Sequence, residues 1–220
     1  MVLLHFSPPW FYGYDILLEF FFMIISFIVG TFAFYIYRKT KQRSVKYFSI
    51  AFYFISLSYL IQTLINIVLF LNMTEKIYCN LTNPFIITLS NLAKITHIFF
   101  LIVGLGIILF TTFREDKKRL LTLFILMPLL IIFLSSNLLY MFYLISSIYL
   151  AFISWNYILN FVKTKKFKTF LVAVAFLFLF FGSFHFLLSV NHQVFYAIGL
   201  FLELLAYILI LTNLYLIIKK

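Results

Sequence analysis

The chain has 220 residues, 65% of them hydrophobic and 10% charged, where an ordinary soluble domain has roughly 45–50% and about 25%. So much apolar surface excludes a water-soluble globule or a disordered tail and points to an integral membrane protein. The net charge of +11 (17 Lys and Arg against 6 Asp and Glu) raises nucleic acid as a partner, but no basic segment carries a nucleic-acid module.

Fifteen of the 17 basic residues fall in four clusters, Arg38–Lys46, Arg114–Arg119, Lys163–Lys168 and Lys219-Lys220. Cytoplasmic loops carry the excess of Lys and Arg. With all four clusters inside, each stretch between them crosses an even number of times. A crossing takes roughly 20 apolar residues. Tyr14–Tyr37 is one crossing. Tyr47–Phe113 makes two, with an outer loop at Asn72–Asn83. Leu120–Phe161 makes two around Ser135-Ser136-Asn137, and Thr169–Ile218 makes two around Ser189–Gln193. The expectation is one all-α transmembrane domain over 1–220, a seven-helix bundle with its N-terminus outside and its C-terminus cytoplasmic, in the cell membrane. The predicted helices are approximately 14–37, 47–71, 84–113, 120–135, 138–161, 167–190 and 194–218. The segment before the first helix has no Lys or Arg, so that helix reads as an uncleaved span rather than a signal peptide. Asn83 and Pro84 form a start signal for the third helix. The fourth helix is short and contains Pro128.

Lys39-Thr40-Lys41 is followed by Phe48, Ala51 and Phe52, and Lys163-Thr164-Lys165 by Phe170, Ala173 and Phe176. This echo raises a 3+1+3 parallel repeat with the fourth helix as linker. The single cysteine, Cys79, excludes an intramolecular disulfide framework. Asn72-Met73-Thr74 and Asn80-Leu81-Thr82 match the glycosylation acceptor pattern.

Ionisable residues inside a membrane are costly and need a partner or a function. Here they are Lys94, His97, His185 and Glu203. Asn91, Lys94, His97, Leu101 and Gly104 recur at helical spacing, as do Tyr196, Gly199, Glu203 and Tyr207. Lys94 and Glu203 lie at similar depth. They read either as an ion pair that latches two helices or as a ligand or proton site. Asp15 and Glu19 read as a solvated outer rim, or as a cation site or partner for His185. All these groups fall in the outer half, above an apolar inner half. No cofactor is expected. His97 lies about a turn deeper than His185, a poor match for haem ligation, and His5, His185, His192, Asp15 and Glu19 show no metal-ligand spacing. No nucleophile–base motif is present, so no enzyme activity is expected.

Seven helices with an outer N-terminus invite comparison with rhodopsins and G-protein-coupled receptors. The seventh helix has no lysine for retinal at Gly199–Leu205. The third ends Phe113-Arg114-Glu115-Asp116 and the seventh Thr212-Asn213-Leu214-Tyr215, without the receptor motifs. No Pro-Gln pair of the PQ-loop transporters occurs. Tyr14-Asp15, Glu19, Tyr35–Thr40 and Tyr47–Phe52 resemble small uncharacterised seven-helix membrane proteins of archaea, over the N-terminal third only. That resemblance implies no activity. The leading expectation is a sensor or receptor-like bundle with an outward polar ligand site, signalling through a partner on the basic inner loops. The alternatives are a small-solute or ion transporter using Lys94 and Glu203, and a structural subunit of a membrane complex.

Overall fold

The computed structural model describes residues 8–11, 13–75, 84–113, 118–190 and 192–218. Lys76, Cys79, the Asn80 acceptor site, Asn83 and His5 lie outside that set. After a 3-10 turn at Pro9–Phe11 come seven helices: α1 Tyr14–Thr40, α2 Arg43–Glu75, α3 Pro84–Thr112, α4 Lys118–Leu134, α5 Leu138–Thr164, α6 Phe167–Ser189 and α7 Val194–Ile218. Six are long and apolar enough to cross a membrane. The exception, α4, has 17 residues, about 26 Å of helix, the lower limit for a ~30 Å hydrocarbon core. Large apolar side chains such as Leu17, Phe27, Leu64, Phe152 and Phe201 lie exposed on the outer faces of the bundle, where they meet lipid. The chain is a multi-pass helical membrane protein.

The helices contact one another in the order α1–α2–α3–α5–α6–α7, and α7 returns to α1. The six long helices thus form a closed ring. α4 stands outside it, against α3 and α5. Contacts within α1–α2–α3 and within α5–α6–α7 are several times more extensive than the α3–α5 and α1–α7 seams that join the two groups. Because lipid is as apolar as leucine, small residues and interhelical hydrogen bonds hold such helices together. Ser49 Oγ donates to the Gly30 carbonyl (2.7 Å), Ser56 Oγ to that of Met23 (3.0 Å) and Ser58 Oγ to that of His97 (2.9 Å). Gly104 brings α3 onto α2: a Cβ there would lie 3.0 Å from the Ala51 carbonyl oxygen and 2.7 Å from Ile55 Cγ1.

α1 and the first part of α2 match α5 and the first part of α6 at positions 124 residues apart, whereas α3 (Pro84–Thr112) and α7 (Val194–Ile218) do not share that shift. α1 and α5 both have 27 residues. Both end in Thr-Lys with the lysine left-handed (Lys41 φ 57°, Lys165 φ 50°), its amide bonded to the carbonyl four residues back at 2.8 and 2.7 Å. Thr40 and Thr164 each donate to the carbonyl four residues earlier. Two-residue links then lead into α2 and α6. Buried Leu18, Phe22, Ile25, Ser26, Val29 and Gly30 of α1 correspond to buried Phe142, Ser146, Tyr149, Leu150, Ile153 and Ser154 of α5. Ala51 and Phe52 correspond to Ala175 and Phe176, all four within 2% exposure. The sequence echo pairs Ala51 with Ala173 instead; the structural register moves that partner by two residues.

α4 carries Pro128, which has no N–H for the Phe124 carbonyl four residues earlier. Tyr149 of α5 supplies the missing donor: its hydroxyl reaches that carbonyl at 2.6 Å. At Gly106 the same stretch lies close to α3, where a Cβ would be 3.0 Å from the Phe124 oxygen. The turn into α5 is made by Asn137, whose side-chain oxygen accepts from the Tyr140 amide. Tyr149→Phe is expected to cost about 1–3 kcal/mol, because a carbonyl away from water loses its donor. Chemical unfolding in detergent would measure this, and a variant as stable as the parent would show that water satisfies the carbonyl instead.

Candidate functional site

A cavity of about 120 Å³ lies within the ring. All six ring helices line it, and α4 contributes nothing. Its polar groups cluster toward the end away from the basic loops. Glu19 of α1 is 5% exposed and accepts from Asn66 Nδ2 of α2 at 2.9 Å. Glu203 of α7 accepts from the Tyr59 hydroxyl of α2 at 3.3 Å. The position of Glu203 follows from the tight α6–α7 contact: at Gly182 a Cβ would be 3.1 Å from the Gly199 carbonyl oxygen and 3.2 Å from Glu203 Cγ.

His97 also lines the cavity. Ser58 Oγ lies 2.8 Å from His97 Nδ1 and is also within hydrogen-bond distance of the His97 carbonyl, at 2.9 Å. Tyr59 and Phe142 flank the imidazole edge-on. Tyr207 stacks on Phe22 with ring centroids 4.8 Å apart, and its hydroxyl accepts from Ser26 at 3.3 Å.

The residues singled out by sequence fall in three places. Lys94, His97, Glu203 and Tyr207 line the cavity together. Lys94 is half-buried, and among the described residues no ion pair joins it to Glu203. Asn91 is exposed, outside the cavity lining, while neighbouring Ser90 is 3% exposed and within it. One residue along a helix is a 100° turn. His185 lies off the cavity: its Nδ1 donates to the Phe181 carbonyl at 2.7 Å and its ring meets Phe195.

Asp15 and Glu19, expected at a solvated outer rim, are buried at 0% and 5% exposure. Phe11 of the 3-10 turn, itself 3% exposed, packs on Tyr14 and Phe201 beside this end of α1. Asp15 Oδ1 accepts from the Gly13 and Ile16 amides at the helix start. Among the described residues, no three His, Cys, Asp or Glu side chains converge as a metal site would require.

Sequence reasoning missed Gln62, Asn66 and Ser146, which also line the cavity. Polar side chains in the middle of apolar helices were the available signal. It also missed a second cavity of about 330 Å³ near the basic end, lined again by all six ring helices, with Ala33, Val45 and Asn213 among its walls. Three side chains line both cavities: Phe52, Phe176 and Ile210. They form the septum between the cavities. Phe52 and Phe176 are each the tenth residue of their helix, related by the 124-residue shift.

Such a bundle belongs to the class of multi-pass membrane proteins with a polar pocket at the interface of two helical units. No protein-family model, no curated protein and no solved structure matches the chain.

Proposed function

We propose that the protein is a small-solute transporter of the cell membrane, built from two parallel three-helix repeats, α1–α3 and α5–α7, joined by α4. The observation that carries this reading is the pair of cavities on either side of a septum made by Phe52, Phe176 and Ile210. A receptor needs one pocket. A transporter must expose one path to each side in turn, by one repeat rocking against the other about a shared site. The thin α3–α5 and α1–α7 seams suit that motion, since little packing has to break there.

All seven helices cross in this reading, because α4 must carry the chain back from the basic end of α3 to the opposite end of α5. The N-terminus is outside and the basic loops face the cytoplasm, where they also meet anionic lipid. The polar cavity then opens outward and the second cavity inward.

The test is thiol accessibility, with Cys79 replaced by serine. Ser90→Cys in the upper cavity is expected to react with an impermeant reagent from outside, and Ala33→Cys in the lower cavity from inside. A lower thiol that reacts from neither side would sink the two-cavity reading and return the receptor to first place.

A further inference from the structure

We infer that the central cavity is a site for a primary ammonium group, so that the solute is a small amine or amino acid; this deepens the transporter reading and rests on it for the movement of that solute, but not for its binding. Several acceptors face the cavity. Two carboxylates, Glu19 and Glu203, line it from opposite groups of helices. Among the described residues their hydrogen-bond partners are one amide N–H and one tyrosine hydroxyl, and neither is paired to a cation. His97, whose neutral imidazole carries one acceptor nitrogen, lines the cavity as well.

Among the described residues, two further polar groups in the lining have no partner. Ser146 is 3% exposed, and its hydroxyl is buried without a hydrogen bond. The Gln62 side-chain carbonyl is buried and likewise unsatisfied. Both residues line the cavity. A buried polar atom without a partner is costly, and native structures keep few of them. A ligand that donates several hydrogen bonds relieves both residues, and a positive one also neutralises a carboxylate. An ammonium has three N–H donors and a full charge. Tyr59, Tyr207 and Phe142 also line the cavity, and a cation that meets an aromatic face is attracted to it.

Among the described residues, Lys94 is the one lysine or arginine in the lining. It opposes a bare cation and favours a ligand that also carries a carboxylate. The ammonium is common to a simple amine and an amino acid, and Lys94 tells the two apart.

The experiment is equilibrium binding of radiolabelled methylammonium and radiolabelled alanine to the purified full chain in detergent, with acetamide and acetate as neutral and anionic controls. Saturable binding of methylammonium, alanine or both is expected, with none for the controls. Glu203→Gln is expected to weaken it by about tenfold or more, the effect of a hydrogen bond to a charged group. Ser146→Ala is expected to weaken it by about two- to tenfold. That variant folds normally, because the hydroxyl it removes bonds to nothing in the free chain. If Lys94→Met abolishes alanine binding and spares methylammonium, the solute is an amino acid. If it leaves methylammonium binding equal or stronger and alanine never binds, the solute is an amine. Binding of acetamide or acetate in place of both ligands, absence of all binding, or binding indifferent to Glu203→Gln and Ser146→Ala would overturn the inference. Thiol accessibility separates the two ideas: two accessible cavities without ammonium binding leave the transporter reading intact, and ammonium binding beside an inaccessible lower cavity removes transport alone.

Discussion

Phe176→Ala is expected to join the two cavities and turn gated movement into a leak. Phe176 is 1% exposed, and its ring lies face to face with Tyr157, centroids 4.7 Å apart. Together with Phe52 and Ile210 it is the wall between the two spaces. Truncation at Cβ removes most of that wall on one side of the ring. Phe52→Ala, the counterpart under the 124-residue shift, is expected to do the same from the other side. Each change also costs roughly 3–5 kcal/mol of core packing, so a leak by itself could reflect a damaged fold. Phe22→Ala is the control. Phe22 is 0% exposed and stacks on Tyr207, so its truncation costs about as much stability. It lines neither cavity. In proteoliposomes with a trapped small solute, Phe52→Ala and Phe176→Ala should release their contents at least several-fold faster than the parent, and Phe22→Ala should not. Equal leakage from all three would mean that the septum is ordinary core.

Much of the fold is readable from the chain because a bilayer leaves few choices. A backbone in hydrocarbon must satisfy its own hydrogen bonds, which means helix, and the basic clusters mark where each helix pair ends. The boundaries of α6 and α7 and the start of α5 follow from the Ser-Ser-Asn break at 135–137, the Lys163–Lys168 run and the polar Ser189–Gln193 turn, while α5 runs three residues past its expected end, to Thr164. α1 and α2 run further toward the basic end than composition indicates, to Thr40 and back from Arg43. The reason is local: a left-handed Lys41 turns the chain in two residues, so Arg38, Lys39 and Lys46 stay helical. Their cations lie over the Phe34, Tyr35 and Tyr37 rings, an arrangement that hydropathy does not report. The echo of Lys-Thr-Lys is visible in the sequence, but its register is not, because alanine and phenylalanine recur too often in α6 to fix a pairing.

The site was legible where an ionisable group had to be explained. Lys94, His97 and Glu203 stand out by charge alone, and each lines the cavity. Their partners did not stand out. Glu203 meets Tyr59 rather than Lys94, and Glu19 meets Asn66. These contacts depend on the rotation of α1, α2 and α7 about their own axes. In lipid both faces of a helix are apolar, so periodicity gives little guidance to that rotation. Asn91 illustrates the limit: it shares a helical stripe with Lys94, yet the true inward position on that turn is Ser90. The septum was hidden for another reason. Phe52 and Phe176 are two of 32 phenylalanines, and only their shared place on the axis distinguishes them.

Substitution of Gly182 should show that the site depends on how closely α6 and α7 approach. A Cβ at Gly182 would lie 3.1 Å from the Gly199 carbonyl oxygen and 3.2 Å from Glu203 Cγ. Alanine needs the neighbours to give by a few tenths of an ångström, and its effect is expected to be small. Valine adds two further methyls against the Gly199 carbonyl and the Glu203 amide, backbone groups with no rotamer to change, and against Glu203 Cγ. The helices then have to move apart, and Glu203 moves with α7, away from Tyr59. Overpacking of this kind costs about 1–3 kcal/mol. Ligand binding should fall further than stability does, because a displaced carboxylate no longer faces the same partners. Gly106→Val provides the comparison. A Cβ there meets the Phe124 carbonyl oxygen at 3.0 Å, an equally tight backbone contact, but with α4, which touches no part of the cavity. Both valine variants should lower the unfolding midpoint in detergent by similar amounts, while Gly182→Val alone loses binding. Equal loss of binding in both would show that the pocket responds to the stability of the whole bundle rather than to the spacing of α6 and α7.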